Sequence, residues 1–171
     1  MAKAGVEFTK DNEYYTPRKT VKYFGEFDYD PATTKEKAED FNITNYDTIE
    51  TDGLKTDWTE YNRIWINPPF TIKHIFLEKA VETFKECNND IYILFPIEFL
   101  TTKRFTKIMG NVCGKLFIPN GRINFQSGLG KKGKSPAFGS LIMKLQDTWE
   151  TEFIEIDNLR GGIYDKISDF I

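Results

Sequence analysis

The hexapeptide at positions 65–70, Trp-Ile-Asn-Pro-Pro-Phe, constrains the fold more than any other stretch of the chain. Proline has no backbone N–H and cannot donate to a sheet ladder, so a buried strand that reaches Ile66 has to stop there. A stiff loop follows, which presents an amide side chain and an aromatic ring. Apolar residues then recur at helical spacing from Ile72 onwards. The sequence therefore predicts a strand–loop–helix unit with a polar and aromatic loop at the carboxyl end of the strand.

Helices and strands alternate around this unit before the chain becomes rich in strands. Helical patterns cover residues 16–25, 35–41, 72–84 and 101–109. Strand-like runs cover residues 27–30, 64–66, 91–95, 115–118, 123–126, 141–145 and 153–156. This order predicts an α/β fold with a mixed, mostly parallel sheet and antiparallel strands at one edge. With neither repeats nor a linker, we expect a flexible N-terminus over residues 1–13 and a single domain over residues 14–171.

The net charge of −3 conceals a strong asymmetry along the chain. Residues 99–146 contain no Asp or Glu and carry nine basic residues, so the remainder of the chain carries −12. A solvated surface usually mixes the two signs. The stretch therefore predicts a face that meets a polyanion, and nucleic acid is the obvious candidate.

Composition also excludes several classes of protein. The sequence shows no export signal and no apolar run of membrane-spanning length, so we expect a cytoplasmic protein without a membrane partner. Cys87 and Cys113 are then expected to be reduced thiols. Neither has a metal-type neighbour, and His74 is the chain's one histidine, so no metal site is predicted.

A second motif, at positions 128–135, matches the phosphate-binding pattern G-x-x-x-x-G-K-S. That chemistry requires a strand before the loop and a helix after it. Here Pro136 follows directly and residues 141–145 resemble a strand. The pattern favours a basic hairpin loop that contacts a phosphate backbone over a nucleotide-hydrolysing site.

The loop at 67–70 suits one chemical task in particular. The exocyclic amino group of a nucleobase is a poor nucleophile because its lone pair is delocalised into the ring. The amide oxygen of Asn67 and the carbonyl of Pro68 are placed to accept hydrogen bonds from such a group and to hold its nitrogen closer to tetrahedral. Phe70 is then suited to stack on the base, as flipped bases are commonly held.

Four segments in chain order resemble the phage-type DNA N6-adenine methyltransferases of the Dam-like group. They are Y-Y-T-P at 14–17, F-D-Y-D-P-A at 27–32, D-G-L through N-P-P-F at 52–70, and G-R-I-N-F through S-P-A-F-G-S-L at 121–141. The resemblance implies a Rossmann-like methyltransferase sheet with helices on both faces. It also implies S-adenosylmethionine as the methyl donor and double-stranded DNA with a flipped adenine as the substrate.

Carried over residue by residue, the resemblance assigns roles to three sets of positions. The catalytic set is Asn67, Pro68, Pro69 and Phe70. The cofactor-binding set is Tyr15, Thr16, Pro17, Asp28, Asp30, Pro31, Ala32 and Asp52. In that set Asp30, with Asp28 as a second candidate, is assigned to the ammonium group and Asp52 to the neighbourhood of the adenine. The DNA-binding set is Lys103, Arg104, Arg122, Lys131, Lys132 and Lys134.

The sequence leaves two other functions open. An RNA adenine-N6 methyltransferase would use a similar loop and a similar basic face. A catalytically inactive DNA-binding protein on the same scaffold would account for the glycine-free segment 30–34, where methyltransferases of the broader class carry a glycine-rich turn. A protein-glutamine methyltransferase is disfavoured by the acid-free stretch. The sequence does not predict the target site or the oligomeric state.

Overall fold

A seven-stranded mixed sheet organises the residues that the computed structural model describes, 15–125 and 138–160. The strands are β1 Tyr29–Asp30, β2 Asn45–Tyr46, β3 Arg63–Ile66, β4 Asp90–Pro96, β5 Cys113–Pro119, β6 Ser140–Gln146 and β7 Glu150–Ile154. The helices are α1 Arg18–Tyr23, α2 Lys35–Phe41, α3 Lys73–Cys87 and α4 Lys103–Met109. The strand order is β2-β1-β3-β4-β6-β5-β7, in which β6 is antiparallel to both of its neighbours and every other pair is parallel.

Hydrophobic cores lie on both faces of this sheet. In β3, Ile64 and Ile66 belong to the core under α3 and α4, whereas Trp65 between them belongs to the core under α1 and α2. β4 alternates in the same way. Strands buried on both faces read as continuous apolar runs, which is why these two were recognisable in the sequence. The predicted α/β fold, with a mostly parallel sheet and helices on both faces, is confirmed.

The antiparallel strand does not lie where it was predicted. Among the described strands only β6 is antiparallel, and it lies inside the sheet between β4 and β5 rather than at an edge. Its run Leu141–Leu145 is largely buried on both faces, whereas β7 forms the edge and is exposed over most of its length. A continuous apolar run is typical of a strand that is covered on both faces of the sheet, so the composition of β6 fits an interior position.

Two further elements differ from the sequence prediction. The run predicted as a strand at 123–126 forms no strand over residues 123–125, and residue 126 lies outside the described part of the chain. Ile123 and Phe125 are buried in the core under α1 and α2, so their alternation reflects a loop that packs inward. Strand β2 was not predicted, because it has only two residues and pairs only with β1.

The sheet brings several segments together at the carboxyl ends of its parallel strands β1, β3 and β4. Parallel strands β1, β3 and β4 end there at Asp30, Ile66 and Pro96, and antiparallel β6 begins there because Ser140 pairs with Pro96. Between β1 and β3 the chain order reverses, so the helix after β1 and the helix after β3 cover opposite faces. Open α/β sheets bind ligands at this kind of switch point. In the described part of the chain, no helix has the length and apolarity to cross a membrane.

Candidate functional site

A cavity of about 680 Å³ opens at the carboxyl ends of β1, β3 and β4. It is lined by most of the predicted cofactor and catalytic residues: Tyr15, Pro31, Ala32, Asp52, Asn67, Pro68, Pro69 and Phe70. A small recess of about 50 Å³ adjoins it and is bordered by Thr16 and Asp30. Asn67 borders both spaces. The structure therefore brings together, from four distant segments, residues that the sequence analysis grouped by role.

The Asn67–Phe70 loop is held by its prolines and by one long-range hydrogen bond. Asn67 follows the last residue of β3, and its Nδ2 donates to Thr16 Oγ1 at 2.9 Å. Pro68 is buried, and Pro69 precedes a single turn of 3-10 helix at Phe70–Ile72. The loop thus leaves the sheet in one fixed direction, with both Asn67 and Phe70 at the cavity.

Phe70 is surrounded by aromatic and cationic groups. Its ring lies 4.7 Å from that of Phe138, centroid to centroid. Lys73 Nζ donates to the Phe70 carbonyl at 3.0 Å and lies 5.2 Å from the centroid of the Phe70 ring. The same ammonium lies 5.1 Å from the Phe99 ring. Burial and the charge of Arg104 lower the pKa of Lys73, so this cation is partly withdrawn from water at the cavity wall.

Asp30 is the most deeply buried carboxyl group of the site. It ends β1 with only 2% of its surface exposed, and its Oδ1 accepts the Ala32 N–H at 3.0 Å. Burial raises the pKa of Asp30 to about 7, and the Ala32 hydrogen bond offsets only part of that shift. A buried carboxylate is stabilised by a cation beside it. This group therefore fits a ligand that carries an ammonium, as the resemblance implied.

Two members of the predicted cofactor set lie elsewhere. Both oxygens of the Asp28 carboxylate accept backbone N–H groups, from Asn62 at 2.9 Å and Arg63 at 2.8 Å. Those residues precede and begin β3, so Asp28 lies at the amino end of the sheet and does not line the cavity. Pro17 is buried and precedes α1 as its N-cap. The Asp28 carboxylate therefore connects the start of β1 to the start of β3, away from the cavity.

The Asp52-Gly53-Leu54 turn packs directly on the loop after β1. A Cβ atom on Gly53 would lie 2.0 Å from the Pro31 carbonyl oxygen, so only glycine allows this approach. The turn is held by Asp52, whose Oδ1 accepts the Leu54 N–H at 3.2 Å, and by Trp58, whose Nε1 donates to the Gly53 carbonyl at 2.8 Å. Asp52 is kept at the cavity in this way.

The predicted DNA-binding residues are only partly within the described structure. Lys103 and Arg104 begin α4 and are exposed, as is Arg122. Arg104 is close enough to Lys73 and His74 for its charge to lower the pKa of each, after the larger effect of burial. The beginning of α4 therefore adjoins the Asn67–Phe70 loop. The other three residues, Lys131, Lys132 and Lys134, lie outside the described residues, as does the rest of the motif at 128–135.

Folding brings acids from elsewhere to the acid-free stretch. Lys115 on β5 lies 3.9 Å from both Glu150 and Glu152 on β7. Lys144 on β6 lies 3.6 Å from Asp90 on β4. The charge of these two lysines is thereby partly neutralised, and the basic face is narrower than the sequence alone indicates.

The sequence analysis missed several residues that line the cavity. Lys73, Phe125, Phe138 and Ser140 all border it. Phe125 and Phe138 belong to the segments G-R-I-N-F and S-P-A-F-G-S-L. These segments were part of the resemblance, but neither phenylalanine was assigned a role. Lys73 stands three positions after Phe70, the spacing that places it beside that ring at the start of α3.

Among residues 15–125 and 138–160, no three His, Cys, Asp or Glu side chains form a group that could hold a metal ion. Of the two acids predicted to contact the cofactor here, Asp30 lies in the recess and Asp52 on the wall of the main cavity.

Two comparisons with known proteins identify similar sequences. A family model described as DNA N-6-adenine-methyltransferase (Dam) matches residues 9–161. A curated DNA N-6-adenine-methyltransferase from Escherichia phage T1 is 28% identical over 175 residues. That alignment covers 88% of this chain and 71% of the phage T1 protein.

Proposed function

The chain belongs to the DNA N-6-adenine-methyltransferase (Dam) family and is an adenine-specific DNA methyltransferase, and on this premise we propose how its residues act. It transfers a methyl group from S-adenosylmethionine to N6 of an adenine that is flipped out of double-stranded DNA. The observation that carries the proposal is the convergence of the Asn67–Phe70 loop with Asp52 at one cavity and with Thr16 and Asp30 at the recess that adjoins it.

The cofactor is held by residues from the three segments before β3. Asp30 meets its ammonium group, because a buried carboxyl whose pKa is raised to about 7 gains most from a neighbouring cation. Asp52 lies on the cavity wall and meets the adenine end, and Tyr15, Pro31 and Ala32 complete the wall between them. When bound, S-adenosylmethionine would supply a methyl group activated by its sulfonium, whose sulfur becomes a neutral thioether as the carbon–sulfur bond breaks and the carbon–nitrogen bond forms.

The enzyme's own contribution is positioning and charge stabilisation. Asn67 Oδ1 and the Pro68 carbonyl accept hydrogen bonds from the two N6 hydrogens of the adenine. These bonds favour a more tetrahedral nitrogen, so its lone pair is available for attack, and they stabilise the positive charge that develops there. Phe70 stacks on the base. Phe138, 4.7 Å from the Phe70 ring, and Phe125 extend the aromatic wall of the same subsite.

DNA approaches over the face where α4 meets the start of α3. Lys103 and Arg104 are exposed at the beginning of α4, and Arg104 is close enough to Lys73, at the cavity, and to His74 for its charge to lower the pKa of each. These groups and Arg122 contact backbone phosphates that flank the flipped nucleotide. Lys131, Lys132 and Lys134 add to this set. Because its substrate is DNA and a similar protein comes from a phage, the enzyme acts in the cytoplasm of a bacterial or phage-infected host cell.

The test is transfer of tritiated methyl from S-adenosylmethionine to DNA that lacks adenine methylation, with total RNA in a parallel reaction. Nucleoside analysis should recover the label as N6-methyl-deoxyadenosine from the DNA. Label confined to RNA would assign the chain to RNA adenine methylation instead. A folded protein that labels neither would indicate an inactive DNA-binding scaffold.

We predict that Asn67→Ala lowers the rate of methyl transfer at least 100-fold, since it removes one acceptor of the amino group. That magnitude is typical of losing one preorganised polar group at a reacting centre. The affinity for S-adenosylhomocysteine, measured by calorimetry, should stay within about threefold, because Asn67 is not among the residues assigned to the cofactor. Asn111→Ala, an exposed asparagine in the turn before β5, is the control and should keep full activity. Equal loss of cofactor affinity in Asn67→Ala would contradict the role of the loop.

A further inference from the structure

Asn67 is connected to a part of the chain 51 residues away. Its Nδ2 donates to Thr16 Oγ1 at 2.9 Å, and Thr16 is 98% buried. Thr16 borders the small recess but not the main cavity, whereas Asn67 borders both. The resemblance assigned Thr16 to the cofactor, and the geometry gives it a second contact, with the residue proposed to bind the substrate.

Both partners of this hydrogen bond are unusually constrained. Thr16 precedes Pro17 and Asn67 precedes Pro68, and a residue before proline is restricted to extended backbone conformations. Threonine is also β-branched, so its χ1 angle has few alternatives. The hydroxyl and the amide therefore stand on two stiff backbone segments, and the Thr16 hydroxyl has few alternative positions.

The orientation of the Asn67 amide has a chemical consequence. Its two ends are almost equal in shape, but only the oxygen accepts a hydrogen bond from an exocyclic amino group. Nδ2 contacts Thr16, which borders only the recess, and we assign Oδ1 to the side of the main cavity that Asn67 also borders. The opposite orientation would set an NH2 group against the NH2 group of the adenine, and two donors cannot pair.

We propose that Thr16 is a positioning residue, which fixes where the Asn67 side chain lies relative to the adenine. The proposal rests on the function proposed above for Asn67. It differs from a cofactor-wall role in its kinetic signature. A wall residue alters the affinity for the cofactor, whereas a residue that orients Asn67 alters kcat and leaves that affinity in place.

The experiment compares Thr16→Val, Thr16→Ser and Thr20→Val in the full chain. Valine keeps the shape of threonine and removes the hydroxyl, whereas serine keeps the hydroxyl. Thr20 is the matched control, because it is also fully buried and its hydroxyl donates to the Leu159 carbonyl, away from Asn67. Each variant is measured for kcat, for KM toward DNA, for the affinity of S-adenosylhomocysteine by calorimetry, and for thermal unfolding.

We expect Thr16→Val to lower kcat about tenfold, the effect of one neutral hydrogen bond, with the affinity for S-adenosylhomocysteine within about twofold. Thr16→Ser should restore kcat to within about threefold of the original enzyme. Thr20→Val should keep kcat although its unfolding temperature falls. An unchanged kcat in Thr16→Val would overturn the proposal, as would a loss of cofactor affinity that accounts for the whole effect. A loss that serine does not restore would also overturn it, since it would indicate packing.

The Asn67→Ala enzyme separates this proposal from the proposed function. If Asn67→Ala is inactive and Thr16→Val is fully active, the role of Thr16 alone is overturned. If Asn67→Ala keeps full activity, the function of the loop and the role of Thr16 are overturned together.

Discussion

At the scale of single residues, the site depends on polar groups that are costly to bury. The carboxylate of Asp30 accepts a hydrogen bond from the Ala32 backbone N–H and borders the small recess. Desolvation opposes its ionisation, which raises its pKa to about 7. A group in this condition favours the bound state of a cationic ligand over the empty protein, because the ligand supplies the missing counter-charge.

The raised pKa of Asp30 predicts how the stability of the cofactor-free protein depends on pH. The folded pKa lies near 7 and the ordinary value is 3.8, so the native state binds more protons than the unfolded state between these values. The free energy of unfolding therefore falls as the pH rises from 3.8 to about 7, because the native state has to release the proton that the unfolded state has already lost. We expect Asp30→Asn to gain stability relative to the original protein as the pH rises from 5 to 8, by about 2 to 3 kcal/mol. Urea unfolding of both proteins at each pH measures the difference, and a pH-independent difference would contradict the shift.

Sequence reasoning reached some of these residues and missed others for identifiable reasons. Asn67 through Phe70 were recognisable because two consecutive prolines after an apolar strand leave few structural options. Asp28 and Asp30 are two positions apart, so Asp28 remained a second candidate for the contact assigned to Asp30. Only the pairing of β1 with β3 shows that Asp28 accepts the N–H groups of residues 62 and 63. The contact between Thr16 and Asn67 spans 51 residues, and no local pattern encodes such a pair.

At the scale of elements, the loop after β1 and the Asp52-Gly53-Leu54 turn form one wall of the cavity. The loop itself has no glycine, in contrast to the glycine-rich turn of many methyltransferases. The close approach is made possible by Gly53 on the facing turn, whose missing side chain leaves room for the Pro31 carbonyl. The glycine-free segment is therefore compatible with a built cavity and does not by itself argue for an inactive scaffold.

We predict that Gly53→Ala weakens the affinity for S-adenosylhomocysteine about tenfold or more, since the new Cβ forces the turn away from the loop after β1. Calorimetric titration measures this effect. Gly110→Ala is the control, because Gly110 has a positive φ of 54° but no atom within 4 Å of the added Cβ. It should lose stability for backbone reasons alone and keep its affinity for the ligand. Unaltered affinity in Gly53→Ala would show that the turn does not shape the cofactor site.

The elements that the sequence predicted correctly are those with a strong internal pattern. β4 and α3 are long, periodic and buried, and their apolar residues identify them without further context. β2 has two residues, and its place in the sheet depends on its partner β1. After β4 the chain passes through α4 to β5 and then returns, so that β6 lies between β4 and β5. No local pattern in α4 or β5 predicts which strand will fill that position.

At the scale of the whole molecule, the basic residues that the structure describes differ in whether acids lie beside them. The acid-free stretch carries nine basic residues, of which six were predicted to contact DNA. In the structure Lys115 and Lys144 lie against acids of neighbouring strands, whereas Lys103 and Arg104 lie on the exposed start of α4. The second group is suited to phosphates, because exposed cations near a binding cleft release counterions when DNA binds.

We predict that binding to duplex DNA weakens steeply with salt and that Lys103→Gln with Arg104→Gln reduces the slope of log K against log [salt] by about 2. Fluorescence anisotropy at several salt concentrations measures the slope. Lys115→Gln with Lys144→Gln removes the same charge from residues that face acids, and this control should leave the slope nearly unchanged. Equal slopes in the two double variants would mean that α4 does not face the DNA.

The interior position of β6 has a consequence for how the protein is made. β4 is complete when residue 96 has been synthesised, but the strand that pairs with its outer edge begins only at residue 140. At ordinary rates of translation the delay is roughly 2 to 9 s. During that time an apolar strand has an unpaired edge, which is the feature that promotes association between nascent chains. The interval ends only when Leu141–Leu145 has been synthesised and can pair, so the later half of the chain protects the exposed edge of β4.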